Sequence, residues 1–285
     1  MKHIKNYYHL TKPGIIYGNL ISVVAGFLFA SHWHNLILLI FTLIGAALVI
    51  GCGCVINNVI DKNIDKKMKR TQKRATVTGE ISIKPAIIYG VVLGITGTVI
   101  LGLVVNVLSM IVALFGLFVY VVIYGIAKRK TVYGTLVGAF AGAVPPLIGY
   151  TAFSNSIDLA GILIFFILIS WQLTHFYAIS LYRKEDYQKA ALPVWSVVKG
   201  DWSTQLQAIG FIAVFTVFSL SLYFFGYTGY IYLIATFLLS IVWLWYSVLT
   251  IKKLTPKAWG KKTFTSSLFI LLAISILLAI GPILP

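Results

Sequence analysis

The chain has 285 residues, of which 59% are hydrophobic and only 11% charged, with a mean hydropathy of +0.94 and a formal net charge of +16. So few charges exclude a soluble domain and leave nothing over for a second one. Residues 1–285 are therefore expected to form a single all-α, polytopic domain embedded in the lipid bilayer.

Apolar runs of about twenty residues fall at 14–31, 36–58, 86–105, 107–126, 133–153, 159–181, 205–225, 229–250 and 263–284, which makes nine candidate spans. All 23 Lys and Arg lie outside them: 3 before the first span, 8 between the second and third, 3 after the fourth, 4 after the sixth and 5 after the eighth. This placement argues against nucleic acid as a partner. By the positive-inside rule it puts the N-terminus and all these loops in the cytoplasm and the C-terminus outside. The opening stretch, MKHIKNYYHLTKPG, has neither a signal-peptide cleavage pattern nor the composition of a transit peptide. Insertion into a bacterial plasma (inner) membrane through the first span is expected.

The first span opens at Lys12 and Pro13, with Pro where a helix start tolerates it. Asn19 lies within that span, where a buried amide serves either an interhelical hydrogen bond or a polar cavity. His32 and His34 flank Trp33 in the first outer loop and suit an interfacial position. Cys52 and Cys54, two apart on a helix, point to nearly opposite sides and are expected to be small packing residues rather than a disulfide or a shared metal site.

The second span then runs into NNVIDKNIDKKMKRTQKR, from Asn57 to Arg74, the least membrane-like part of the chain. If the helix continues, Asn57, Asp61 and Asp65 at i, i+4 and i+8 share one stripe, each step rising about 6 Å. Two carboxylates and an amide on one stripe suit a hard divalent cation such as Mg²⁺, and Arg70, Lys73 and Arg74 would complement phosphate oxygens. The alternative is a helix end whose acids pair with lysines and whose bases only set topology.

Further on, the fourth span finishes YGIAKRK, with Tyr124 and Lys128 four apart and Arg129 adjacent. Pro145 and Pro146 sit near the middle of the fifth span, where the carbonyls they free predict a kinked helix bordering a cavity. The sixth span holds Gln172 and His175 and exits through YRKEDY, with Tyr182 and Asp186 four apart and Glu185 between them. Six of the seven acidic residues map to the cytoplasmic side; Asp158 alone lies outside. Both acidic clusters follow even-numbered spans, so the second is expected to face the first across one mouth. The last three spans carry no acid and are expected to be scaffold. A mouth with acids and bases above an apolar interior suits a substrate with a diphosphate head and a hydrocarbon tail. A metal and cations would stabilise the leaving group, and aromatic faces would shelter an allylic carbocation.

These residues carry a resemblance. NNVIDKNIDKKMKRT resembles the first aspartate-rich motif of the UbiA superfamily of intramembrane prenyltransferases, N-D-x-x-D-x-x-x-D; YGIAKR is similar to its Tyr-x-x-x-Lys motif, and YRKEDY occupies the place of its second acidic motif. TKPGIIYGNLISV, VYGTLVGAFAGAVPPLIGY and DYQKAALPVWSVVKG further resemble the branch that farnesylates haem. Asn58 and Tyr182 stand where the superfamily usually has Asp, which leaves a less anionic site.

The resemblance implies a UbiA-like helical fold around a central cavity, farnesyl diphosphate as donor, haem B as acceptor and Mg²⁺ as cofactor. It also implies roles. Asn57, Asp61, Asp65 and Asp186 would hold the metal; Arg70, Arg74, Lys128 and Arg129 would bind the diphosphate; Tyr124 would sit at the reacting end. Asn19, Asn58, His175 and Tyr182 are candidates for substrate contact or support. A haem A synthase or a terminal oxidase would be a downstream partner. Two alternatives stay open: a UbiA enzyme acting on an aromatic acid or quinone precursor, and a secondary transporter, which shares kinked helices and intramembrane polar groups.

Overall fold

A computed structural model describes residues 2–285, with side chains described from Ile4 onward. Among the described residues nine helices are long and apolar enough to cross a membrane: Pro13–Ser31, Leu36–Ile60, Ile83–Val105, Val107–Lys130, Gly134–Ser154, Leu159–Tyr182, Asp201–Phe224, Tyr230–Ile251 and Pro256–Ile283. The protein is a multi-pass, all-helical membrane protein. Hydropathy locates these helices closely, except that the ninth begins at Pro256 rather than near 263. Thr255 caps it by accepting from the Ala258 N–H at 3.3 Å, and Pro256 occupies the first turn. Three lysines, Lys257, Lys261 and Lys262, thus ride on the helix, whose apolar stems can reach outward to water. The seventh span likewise starts early, at Asp201, so the last three spans are not free of acids.

Burial separates the inner helices from the outer ones. The fifth and sixth spans are 67% buried within their apolar windows, whereas the third and eighth are 22% buried. The latter present side chains such as Leu103 (83% exposed) to the surroundings, as a lipid-facing helix must. The fifth span breaks between Gly134–Gly142 and Val144–Ser154, immediately before Pro145 and Pro146, so the expected kink is present. The first span crosses it in backbone contact. A Cβ on Gly26 would lie 1.9 Å from the Pro146 carbonyl oxygen, and one on Gly149 would lie 2.0 Å from that of Val23. Only glycine permits that approach.

A short helix, Lys2–Leu10, precedes the first span and was not legible as an element. Tyr7 and Leu10 pack it on Val55 and Val59 of the second span and on Ala86 and Tyr89 of the third. The loops after the second, fourth, sixth and eighth spans meet at one end of the bundle. Arg129 reaches Asp61, the Lys69 N–H donates to Asp186, and Lys257 pairs with Glu185.

The close crossing makes a packing prediction. Gly149→Ala should lower stability by about 1–3 kcal/mol, the range for overpacking, read as a lower melting temperature in detergent. Gly210→Ala, where nothing lies within 4 Å of the added carbon, should be neutral or slightly stabilising.

Candidate active site

At the end where these loops meet, a cavity of about 580 Å³ opens between the first, second, fourth, fifth, sixth and ninth spans. Its depth is mainly apolar and its mouth is charged. The second span forms the mouth's acidic wall. The sequence reading has the helix continue through the motif; it stops instead at Ile60, and Asp61 takes a junction conformation before the short turn Lys62–Asp65. The i+4 backbone bonds persist across the junction, with the Asp61 N–H on the Asn57 carbonyl (2.9 Å) and the Asp65 N–H on that of Asp61 (2.8 Å). Alignment therefore survives, and Asn57, Asp61 and Asp65 all line the cavity.

Both carboxylates are nearly enclosed, Asp61 at 7% and Asp65 at 4% exposure, and both are paired. Lys128 and Arg129 donate to Asp61, the latter at 2.9 Å, and Arg74 donates to Asp65 at 2.5 Å. Asn57 accepts from the Lys12 ammonium at 2.8 Å, while its amide N–H group is buried with no partner among the described residues. Among those residues no three His, Cys, Asp or Glu side chains converge. Two carboxylates and an amide oxygen are nonetheless hard donors of the right kind and number for Mg²⁺, which takes one or two carboxylates and completes its shell with water and phosphate oxygens.

Several expected site residues lie elsewhere. Asp186 does not line the cavity; its Oδ1 accepts from the Lys69 N–H at 3.3 Å. The sixth span ends at Tyr182, and Arg183 is non-helical before a new helix, Lys184–Lys189, so Tyr182 and Asp186 do not share a stripe. Asn58 is buried behind the wall and donates to the Leu10 carbonyl at 2.8 Å, because successive helical side chains diverge by about 100°. Arg129 touches Asp61 and the Ile60 carbonyl from outside the cavity lining. His32 and His34 are exposed in their loop, away from the cavity.

The remaining expectations converge. A π-helical turn at Val119–Ile123 delivers Tyr124, whose ring stacks on Tyr120 at 5.8 Å and carries the Lys128 ammonium 4.9 Å from its centroid. Asn19, Arg70, His175 and Tyr182 line the cavity as well. His175 is fixed by the ninth span, which is thereby more than scaffold. The Ser267 hydroxyl donates to the Phe264 carbonyl at 2.6 Å, so it can only accept from His175 Nδ1, 2.7 Å away. Nδ1 then carries the proton and Nε2 keeps its lone pair. Trp171, stacked on the imidazole at 5.0 Å, holds the ring plane. One turn away on the same face, Gln172 presents a buried carbonyl oxygen with no partner among the described residues.

Lys12, Tyr120 and Arg183 line the cavity and are not among the sequence candidates; Lys12 marks only a span boundary there. Lys12 carries the most unusual backbone of the three. It is half-buried and adopts a left-handed backbone (φ 55°, ψ 67°), a strained state that persists only where surroundings impose it. Burial lowers its ammonium from the ordinary 10.5 to about 8, against the pull of Asp65 and Asp61.

With this geometry in place, the chain can be set beside known proteins. A model of the UbiA prenyltransferase family matches residues 19–273. The chain belongs to the UbiA prenyltransferase family. It is 43% identical over 273 residues to a Protoheme IX farnesyltransferase of Protochlamydia amoebophila, covering 95% of this chain and 96% of the relative. It is 42% identical over 284 residues to one of Photorhabdus laumondii, covering 99% and 97%. Two solved structures share the UbiA fold: a digeranylgeranylglyceryl phosphate synthase (TM-score 0.81, 18% identity, 99% of both chains) and an Archaeoglobus fulgidus UbiA homologue bound to GPP and Mg2+ (TM-score 0.68, 17% identity, 96% and 99%).

Lys12 gives this UbiA protein a pH signature. Because folding depresses its affinity for a proton, the folded protein binds fewer protons than the unfolded chain between about pH 8 and 10.5, and stability rises with pH across that window. In EDTA, Lys12→Met should flatten this rise in melting temperature; an unchanged slope would refute the buried ammonium.

Proposed function

We propose that this protein farnesylates protohaem IX, converting haem B to haem O with farnesyl diphosphate as donor. The observation that carries the acceptor is the end-to-end identity of 42–43% with proteins named Protoheme IX farnesyltransferase. The cavity supports it: a charged mouth takes a diphosphate, and an apolar depth takes a prenyl chain and a flat macrocycle. The mouth is assigned to the cytoplasmic side of a bacterial inner membrane, because the loops that build it hold nearly all the basic residues.

In this reading Asn57, Asp61 and Asp65 would hold Mg²⁺, and Asp186 supports them by fixing the backbone of the acidic loop at Lys69. Bound there, the ion would supply charge neutralisation at the departing diphosphate. Arg70, Arg74, Lys128 and Lys12 bind its oxygens from the cavity wall, and Arg129 braces Asp61. The allylic C–O bond breaks and its electron pair leaves with diphosphate. Stacked Tyr120 and Tyr124 face the resulting cation.

The terminal vinyl carbon of haem B then gives its π electrons to the farnesyl carbon, which leaves a cation on the carbon next to the porphyrin. Water adds there. His175 Nε2, bare because Nδ1–H is committed to Ser267, takes its proton. The products are the hydroxyethylfarnesyl haem, diphosphate and one proton.

Mass spectrometry of membranes given haem B, farnesyl diphosphate and Mg²⁺ should show haem O, and EDTA should abolish it. Asp61→Ala and Asp65→Ala should each reduce turnover by ~10²-fold or more in folded protein. Asp158→Asn should retain activity, since Asp158 caps the sixth span and pairs with Tyr150 outside the cavity. Full activity in Asp61→Ala would refute the metal assignment. His175→Ala should lower kcat by ~10²-fold with little change in the KM for farnesyl diphosphate; the reverse pattern would remove His175 from the water-capture step.

A further inference from the structure

Around the cavity mouth the acidic side chains are committed. Asp61 and Asp65 hold Lys128, Arg129 and Arg74; Glu185 holds Lys257 at 2.6 Å; Asp201 holds Lys184 at 2.7 Å; Asp186 accepts from the Lys69 N–H. Arg183 is left over. It lines the cavity, is only partly exposed, and its guanidinium has no carboxylate and no side-chain hydrogen bond among the described residues. Its ring contact is with Tyr182, 4.4 Å from the guanidinium carbon to the centroid, and it also acts electrostatically on the Tyr187 hydroxyl. A partly desolvated guanidinium without an anion is unfavourable. Its natural complement is an anion that arrives with a ligand.

Two features separate this position from the diphosphate subsite. First, among the described residues the acids that line the cavity are Asp61 and Asp65, while Glu185 and Asp186, the carboxylates nearest Arg183 in the chain, do not line it. Second, the contact with the Tyr182 ring uses none of the guanidinium N–H donors, so they stay available to an anion such as a carboxylate, which a guanidinium can bind in bidentate fashion. Back along the sixth span, which ends one residue before Arg183, His175 lies eight residues deeper, about 12 Å at 1.5 Å per residue, with Gln172 beyond it. An acceptor lying along this wall would have its anionic edge at the mouth and its reacting edge by His175. Haem B has that polarity, with propionates on one edge of the macrocycle and vinyl groups across from them.

We infer that Arg183, held against the Tyr182 ring, is the carboxylate receptor of the acceptor, binding a propionate of haem B and so setting which edge of the porphyrin reaches the depth of the cavity. This rests on the acceptor reading above. Arg183 is a specificity-determining residue here and takes no part in bond breaking.

The test compares steady-state constants for haem B and for its dimethyl ester, in which both propionates are capped, in the wild type, Arg183→Gln and Arg183→Lys. Arg183→Gln should raise the KM for haem B by ~10- to 100-fold, the scale of a charge-assisted hydrogen-bond pair. The KM values for the ester and for farnesyl diphosphate should stay within about twofold of wild type. Arg183→Lys, keeping charge but not the planar fork, should fall between. A rise in the KM for farnesyl diphosphate instead, an equal loss for haem B and its ester, or no change would each overturn the assignment. If the wild type leaves haem B unchanged but prenylates 4-hydroxybenzoate, the haem reading fails on its own and the same comparison passes to that acid and its methyl ester. Sensitivity of the acid alone to Arg183→Gln would uphold the receptor, and equal sensitivity would overturn it.

Discussion

The carboxylates of Asp61 and Asp65 sit almost out of water at the rim of a hydrophobic cavity, and the rest of the mouth is arranged to compensate them. Asp61 is held by Lys128 and Arg129 from the end of the fourth span, and Asp65 by Arg74 from its own loop. Breaking a buried pair by deleting one partner costs about 3–5 kcal/mol, because the other charge is stranded. These contacts therefore lock the second span to the fourth as firmly as they define a site. They also mean that the groups a diphosphate and its metal require are already adjacent. The same cations that neutralise the acids in the folded chain suit the oxygens of a leaving group, so charge can be redistributed on substrate binding without rebuilding the mouth.

The cavity beneath the mouth depends on close packing. Gly26 and Gly149 bring the first and fifth spans into backbone contact, and the fifth span lines the cavity on both sides of its break, through Gly134, Gly138 and Gly142 before it and Val144, Pro145 and Ile148 after it. With those helices fixed, the sixth span becomes the central wall, and its buried faces are shared with the seventh and ninth spans through contacts such as the Trp171 indole N–H on the Ser267 carbonyl at 2.7 Å. The Ser267 carbonyl thus steadies Trp171 while its hydroxyl sets the tautomer of His175. A single residue on the ninth span therefore governs the polarity of the cavity floor.

The two ends of the sixth span have different chemistry for a related reason. Its mouth end terminates at Arg183, where the chain turns before Lys184–Lys189, and that turn carries Glu185 and Asp186 away from the cavity while leaving the arginine beside it. Its deeper part holds neutral acceptors, Gln172 and His175. A helix that is cationic at the rim and neutral below presents a graded wall to an amphipathic, anionic acceptor, whereas the second span presents acids to a metal and a diphosphate.

What the sequence by itself determined was everything that depends on local periodicity and composition. Nine spans, their order, the segregation of basic loops to one end, the kink at Pro145 and Pro146, and the alignment of Asn57, Asp61 and Asp65 follow from hydropathy and i, i+4 spacing, which constrain direction along a helix; that Tyr124 and Lys128 join them was implied by the family resemblance. Only the tertiary structure decided what faces what. Asp186 turned to the Lys69 backbone, Asn58 to Leu10, Lys12 to Asn57 and His175 to Ser267, partners up to 117 residues apart. A polar side chain near a helix end has several orientations of similar local energy. The choice among them is made by which donor or acceptor a distant helix brings within 3 Å or so, and no spacing within one segment records that.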